Sequence, residues 1–260
     1  VSGNVLLRRR QYRLADSSAD SLAIARTFVI GKLANSRTVI QRALRDHECA
    51  NGREDMEAAV LRLGHMLPEL EQVQSVDELR GKEGEAANRY FGVFDHMIAV
   101  QKEAFRFDTR NRRPPMDNMN AMLSYVYTLL THDASAALEA VGLDPQVGYL
   151  HAERPGRPSL ALDLVEEFRA FMGDRLALSL VNLRQIQAND FTATESGAVA
   201  MSDEARKTLL AAYQKRKQEE IAHPFLGEKM AVGLLLHVQA LLLARHIRGD
   251  MDGYPPFIWK

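Results

Sequence analysis

The chain is predicted to be all-α, and three observations carry that prediction. Apolar residues recur at three- and four-residue spacing along most of its length. No stretch beyond "NVLLR", residues 4–8, shows the period of two that marks a strand. The strongest breaks, Pro114-Pro115 and Gly142, fall between periodic segments rather than inside them.

Taken in order, the chain opens at Val1 with "VSGNVLLRRRQY". This reads as a strand-to-linker passage entered midway, so residues 1–18 are expected to be an extended linker from a preceding domain. A long helix follows from about Ala19 to His47, with Leu22, Ile24, Ala25, Phe28, Val29, Leu33 and Ile40 on its apolar side. A second amphipathic stretch runs from about Asp55 to Gln74. A third begins near Asp77 and continues past Phe94 towards Phe107. "FDTRNRRPPMDN" is a loop, because its two prolines cannot continue a helix. The next helix covers roughly Met119 to Val141, and Gly142 ends it in the usual C-terminal manner. Further helices are expected over 159–182, 203–221 and 228–249. "NDFTATESGAVAM", residues 189–201, is polar and rich in small residues, and is expected to be a flexible loop.

Composition narrows the function classes. Hydrophobic residues make up 46% and charged residues 26%, an ordinary balance for a globular chain that buries a core. The longest apolar run, "AVGLLLHVQALLLA", is interrupted by His237 and Gln239 and falls short of the roughly 18 residues that span a bilayer. No membrane association and a cytoplasmic location are therefore expected. The single cysteine, Cys49, excludes an internal disulfide and a cysteine-based zinc cluster. A formal net charge of −1 means that any nucleic-acid surface must be a local patch.

Two features point towards chemistry. On the helix after Ser159, Asp163, Glu166 and Glu167 fall together, opposite an arc of Leu160, Ala161, Leu164, Val165, Phe168, Phe171 and Met172. Either they form a solvated acidic edge, or they supply part of a metal site together with His151, which sits in the preceding loop. Glu83 is sharper. Ala86, Ala87, Tyr90, Phe91 and Phe94 lie within about 80° of it on the helical wheel, so it stands in the middle of an apolar face. A carboxylate there needs a cation, from an Arg or Lys partner or from a metal. Carboxylates with one imidazole suit magnesium or manganese. Loop arginines surround these candidates: Arg154 and Arg157 after His151, and Arg110, Arg112 and Arg113 beside the prolines. Such arginines fit a polyanionic substrate. His47, His65, His96, His132, His223, His237 and His246 show no metal-binding spacing and read as structural or surface residues.

"LRGKEGEAANRYF", "RRPPMDNMNAMLSYVYTLL", "GLDPQVGYLHAERPGRPSLALDLVEEFR" and "YPPFIWK", in this order, resemble the CRISPR-associated Cas1 family, closest in wording to its type I-C branch. The resemblance runs from Gly3 to the C-terminus. It implies a metal-dependent DNA endonuclease and integrase that inserts new spacers into CRISPR arrays, with a 3′-hydroxyl attacking a phosphodiester at the repeat boundary. It further implies that Glu83, His151 and Glu166 bind Mg2+ or Mn2+. Asp163 takes a supporting role in that implied site, and Tyr127 of "SYVYTLL" is the family's site tyrosine. Arg154, Arg157, Arg112 and Arg113 are then candidate contacts to DNA phosphates. The family's architecture implies an N-terminal β-domain before an α-helical catalytic domain over residues 19–260. Implied partners are double-stranded DNA (protospacer and CRISPR repeat), a second copy in a homodimer, the small Cas2 protein and, in a type I-C setting, a Cas4 nuclease. Two rival expectations are a branched-DNA nuclease acting by hydrolysis and a non-catalytic helical DNA-binding scaffold in which Glu83 pairs with a cationic side chain.

Overall fold

A computed structural model describes residues 4–46 and 52–259. His47 and Cys49 lie outside the described residues.

The expected extended linker is corrected at its centre, where residues 5–16 form helix α1 (Val5–Asp16). Asn4 caps it by accepting the amide hydrogens of Leu6 (3.1 Å) and Leu7 (3.3 Å). Gln11 is fully buried and donates to the carbonyls of Asp144 (2.8 Å) and Val147 (2.9 Å). Arg8, Arg9 and Arg10 had masked a helix whose inward face is little more than Leu7 and Gln11.

The long helix α2 (Ser18–Asp46) is the axis of the fold. It packs on α1, α3 (Arg53–Glu69), α4 (Val76–Gly92) and α6 (Ser159–Glu166). Ile24, Phe28, Val29, Leu33 and Ile40 are buried along it, each burial stabilising by about 1.5–3 kcal/mol. Lys32, Asn35 and Ser36 are buried on the same helix. Helix α4 is capped by Ser75, whose hydroxyl accepts the Glu78 amide (3.1 Å). It stops at Gly92 rather than running on towards Phe107. The chain folds back there, because the Asp95 carboxylate accepts the Phe107 amide (2.9 Å) and Phe94 packs on Phe107 with ring centroids 4.8 Å apart.

Helix α5 (Asn118–Ala140) starts at Asp117, which caps the Asn120 amide (2.7 Å). The single helix expected over 159–182 is three pieces: α6, a π-helical segment (Arg169–Asp174) and α7 (Arg175–Asn182). The wider π turn buries both Arg169 and Asp174, and such turns recur at functional sites. Gly173 permits the packing, since a Cβ there would sit 2.8 Å from the Tyr127 ring.

The expected flexible loop over 189–201 instead forms a hairpin of β1 (Phe191–Ala193) and β2 (Val199–Met201), with Phe191 opposite Met201. Val199 donates to the Pro115 carbonyl (2.8 Å), which ties the hairpin to the proline loop. Helices α8 (Asp203–Gln218) and α9 (Leu235–Arg248) are shorter than expected. A second hairpin, β3 (Glu220–Ala222) with β4 (Lys229–Ala231), takes up the overrun. The fold is thus helical with two small strand pairs. The C-terminal stretch folds back onto α2, where Asn35 donates to the Phe257 carbonyl (2.8 Å) and accepts the Trp259 amide (2.8 Å). No helix of the described residues is long and apolar enough to cross a membrane.

Candidate functional site

The acids of α6 are not a solvated edge. Asp163 and Glu167 are fully buried and Glu166 is 2% exposed, because α2, α5, α9 and the loop before α6 enclose this short helix on every side. Each acid therefore needs its own partners.

Asp163 finds them in the loop. One oxygen accepts the amides of Tyr149 (2.6 Å) and Leu150 (3.0 Å), and the other accepts the amide (2.9 Å) and ring Nδ1 (2.6 Å) of His151. Gly148 makes this wrap sterically possible, since a Cβ there would lie 2.8 Å from an Asp163 oxygen. A carboxylate can only accept, so Nδ1 carries a hydrogen, and in the neutral imidazole Nε2 presents its lone pair. That Nε2 lies 3.7 Å from Glu166 Oε1.

Glu166 is where the charges meet. Arg169 Nη2 lies 2.9 Å from Oε1, and the Lys32 ammonium lies 2.7 Å from Oε2. The same ammonium contacts Glu83 Oε1. Lys32 thus joins the acid on α4 to the acid on α6. Burial alone raises the Glu166 carboxyl, but Arg169 and then Lys32 outweigh it and bring it down to about 2, so the group is ionised at neutral pH.

Glu167 faces the other way. It accepts hydrogen bonds from Tyr254 (2.8 Å), the Phe257 amide (2.7 Å) and Gln239 (3.0 Å), and so fastens the C-terminal stretch. Burial still pushes its carboxyl up to about 8.

Tyr127 lies behind Arg169, whose guanidinium stands 4.9 Å from the ring centroid. Its hydroxyl donates to Asp174 (2.5 Å), which also accepts from Tyr90 (2.9 Å). Burial and the Asp174 charge raise the phenol well above its ordinary value, so it stays protonated. Burial likewise lifts Asp174 to about 6 against its two phenol donors.

The loop arginines divide. Arg112, Arg113 and Arg154 are exposed and Arg157 is half-buried. Burial lowers the Arg157 guanidinium, and Arg154 lowers it further, while Asp163 opposes them and Arg112 and Arg80 add smaller repulsions. Arg110 turns inward to Asn120 (2.6 Å) and Ser124 (3.0 Å). His151, Arg26 and Arg80 line a cleft of about 800 Å³; Glu83, Asn88, Phe91 and Arg112 line another of about 390 Å³. A larger cavity of about 1080 Å³, between α2, α3 and Trp259, contains none of the candidate residues.

Sequence reasoning missed Lys32, Arg169 and Asp174. Lys32 carried the same signal as Glu83, a charge among Ala25, Phe28 and Val29 on one helical face.

The Glu83 and Glu166 carboxylates with the His151 imidazole are hard oxygen and nitrogen donors of the kind that fits magnesium or manganese. In this arrangement no three acid or imidazole groups among the described residues are gathered tightly enough to close on an ion. Lys32 supplies the positive charge between the two carboxylates in this arrangement.

The family model described as CRISPR associated protein Cas1 matches residues 1–215. A relative from Chlorobaculum tepidum, named CRISPR-associated endonuclease Cas1 1, is 58% identical over 260 residues, covering 100% of this chain and 76% of that protein. A Cas4 exonuclease/Cas1 endonuclease fusion from Rhodospirillum rubrum is 40% identical over 254 residues, covering 96% of this chain and 43% of that protein. A solved Cas1 protein from Thermotoga maritima superposes with a TM-score of 0.79 at 27% identity, covering 95% of this chain and 72% of that one. A chain of a partial Cas6-RT-Cas1–Cas2 complex gives 0.82 at 25% identity, covering 99% of this chain and 74% of that one.

Proposed function

This chain belongs to the CRISPR-associated Cas1 family, and from that membership we propose that it is a divalent-metal-dependent DNA endonuclease and integrase of CRISPR adaptation. The observation that carries the site assignment is a chain of contacts across α4, α2, α6 and the loop before α6: Lys32 pairs with both Glu83 and Glu166, and His151 Nε2 lies 3.7 Å from Glu166 Oε1. Glu83, Glu166 and His151 Nε2 are the proposed ligands of Mg2+ or Mn2+. The bound ion supplies Lewis-acid stabilisation of phosphoryl oxygens and activation of an attacking hydroxyl.

The chain's own residues then do the positioning. Asp163, its four acceptor sites filled by the loop, fixes the His151 tautomer and ring orientation and is a supporting residue rather than a ligand. Arg169 keeps Glu166 ionised. Tyr127, with its hydroxyl committed to Asp174, acts through the Arg169 guanidinium on its face. Arg154, Arg157, Arg112 and Arg113 hold flanking phosphates, which aligns the 3′-hydroxyl of incoming DNA with a phosphodiester at the repeat boundary. The reading extends to partners: protospacer and repeat duplexes, a second copy in a homodimer, Cas2 by likeness to the complex named above, and a Cas4 nuclease by likeness to the fusion.

One observation favours a non-catalytic DNA-binding scaffold, namely that Glu83 pairs with Lys32. The two readings separate on a labelled branched DNA that mimics a half-integrated product. Strand rejoining with Mn2+, absent with EDTA and lost in His151→Ala, is expected of the integrase. Cutting without rejoining would place hydrolysis ahead of transesterification. No divalent-ion dependence, with DNA binding indifferent to His151→Ala, would leave the scaffold.

A further inference from the structure

Lys32 occupies an unusual position. Its side chain enters from α2, is 8% exposed as a residue, and spans acids on two other helices, Glu83 of α4 and Glu166 of α6. A buried ammonium with two carboxylates is compensated only while both stay near it. Glu166 holds a second cation, Arg169, on its other oxygen at 2.9 Å. Lys32 is therefore the sole side chain, among the described ion pairs, that ties Glu83 into the cluster. The Lys32 ammonium lies 2.7 Å from Glu166 Oε2.

We propose that Lys32 is an internal placeholder cation, which holds Glu83 and Glu166 together in the metal-free protein and must withdraw from them when a divalent ion binds. This rests on the assignment of those two acids as metal ligands. The physical reason is charge and space together. With Lys32 and Arg169 beside them the two carboxylates are already neutralised, and a divalent ion on the same oxygens would meet like charge within a few ångströms. The ammonium has a flexible four-carbon stem, so withdrawal needs only rotation about side-chain bonds. The placeholder keeps the acids from repelling one another and splaying, and it sets the divalent affinity lower than the bare donor set would give.

The test is Mn2+ binding by calorimetry, paired with thermal melts, on the full 260-residue chain. Wild type, Lys32→Met and His151→Ala are compared. In Lys32→Met the metal-free melting temperature falls, Mn2+ restores more of it than in wild type, and the Mn2+ affinity rises by on the order of tenfold, a modest share of one nearby unit charge. An affinity that is unchanged or weaker in Lys32→Met overturns the proposal, because Lys32 would then stand aside from the ion or help to hold it. If Lys32→Met does not fold, wild type labelled at lysine nitrogen is titrated with Mg2+. The signal of the buried ammonium, identified by its protection from solvent exchange, shifts and loses that protection as the ion saturates. A signal that stays put overturns the proposal. His151→Ala separates the two levels. Failure of wild type to bind Mn2+ at all removes the metal-site reading, whereas binding that depends on His151 but not on Lys32 removes only the placeholder.

Discussion

Asp163→Asn is the most informative single-atom change in this protein. The wild-type carboxylate is fully buried and accepts four hydrogen bonds, two per oxygen: Tyr149 N and Leu150 N on one, His151 N and Nδ1 on the other. Asparagine has one acceptor oxygen and one NH2 donor. If the NH2 faces Tyr149 and Leu150, two backbone donors meet a third. If it faces His151, the ring must give up its Nδ1 hydrogen and carry it on Nε2, and the His151 amide is left unpaired. Either way two charge-assisted bonds are lost, at about 1.5–3 kcal/mol each, for a net loss of about 3–5 kcal/mol. At the ~2–4 °C per kcal/mol expected of a chain this size, the melting temperature falls by about 6–20 °C. Calorimetry gives the stability, and nitrogen NMR of the imidazole gives the tautomer. The second flip state also aims an N–H at Glu166, which removes His151 as a lone-pair donor. A melting temperature lowered by less than about 3 °C, with the hydrogen still on Nδ1, would refute the four-bond account.

Three further outcomes follow from the same geometry. Burial raises Glu167 from 4.5 to about 8, so the folded protein keeps a proton that the unfolded chain releases. Stability therefore falls as pH rises from about 4.5 through about 8, by at most ~5 kcal/mol. Glu167→Gln cannot ionise, so its melting temperature gains on wild type between pH 5 and pH 8; parallel curves would contradict this. Tyr127→Phe removes a hydrogen bond to Asp174 and costs about 1.5–3 kcal/mol of stability, while strand transfer falls far less than in Glu83→Ala. Equal losses in a rejoining assay would give the hydroxyl a direct catalytic role. Arg154→Ala with Arg157→Ala reduces the slope of log affinity for DNA against log salt by about 2, one per phosphate contact. An unchanged slope in a salt titration would take both side chains off the DNA.

The sequence was most legible where one helical face carried one meaning. Glu83 stood out because it broke an apolar face, and the structure supplies the cation that position demanded in Lys32. Lys32 broke the apolar face of α2 in the same way, and the two anomalies read together would have paired the helices. Asp163, Glu166 and Glu167 were harder, because a wheel that puts acids opposite an apolar arc assumes one buried side. Helix α6 is enclosed all round, so its polar arc faces a buried site on one flank and the C-terminal stretch on the other. Helix α1 was hidden by Arg8, Arg9 and Arg10 on an exterior that outnumbers its buried Leu7 and Gln11. The two hairpins have strands of three residues, too short for a period of two to register. The π turn at Arg169–Asp174 leaves the spacing of apolar residues almost unchanged, so periodicity alone could not place Arg169 and Asp174 inside.

Anomalous scattering from a crystal soaked in Mn2+ locates the ion and its ligands together. A single peak bonded to Glu83, Glu166 and His151 Nε2, with both Asp163 oxygens still on the Tyr149–His151 loop, is the predicted result. A peak held by Asp163, or carboxylates that remain on Lys32 with no ion between them at saturating Mn2+, would contradict the assignment.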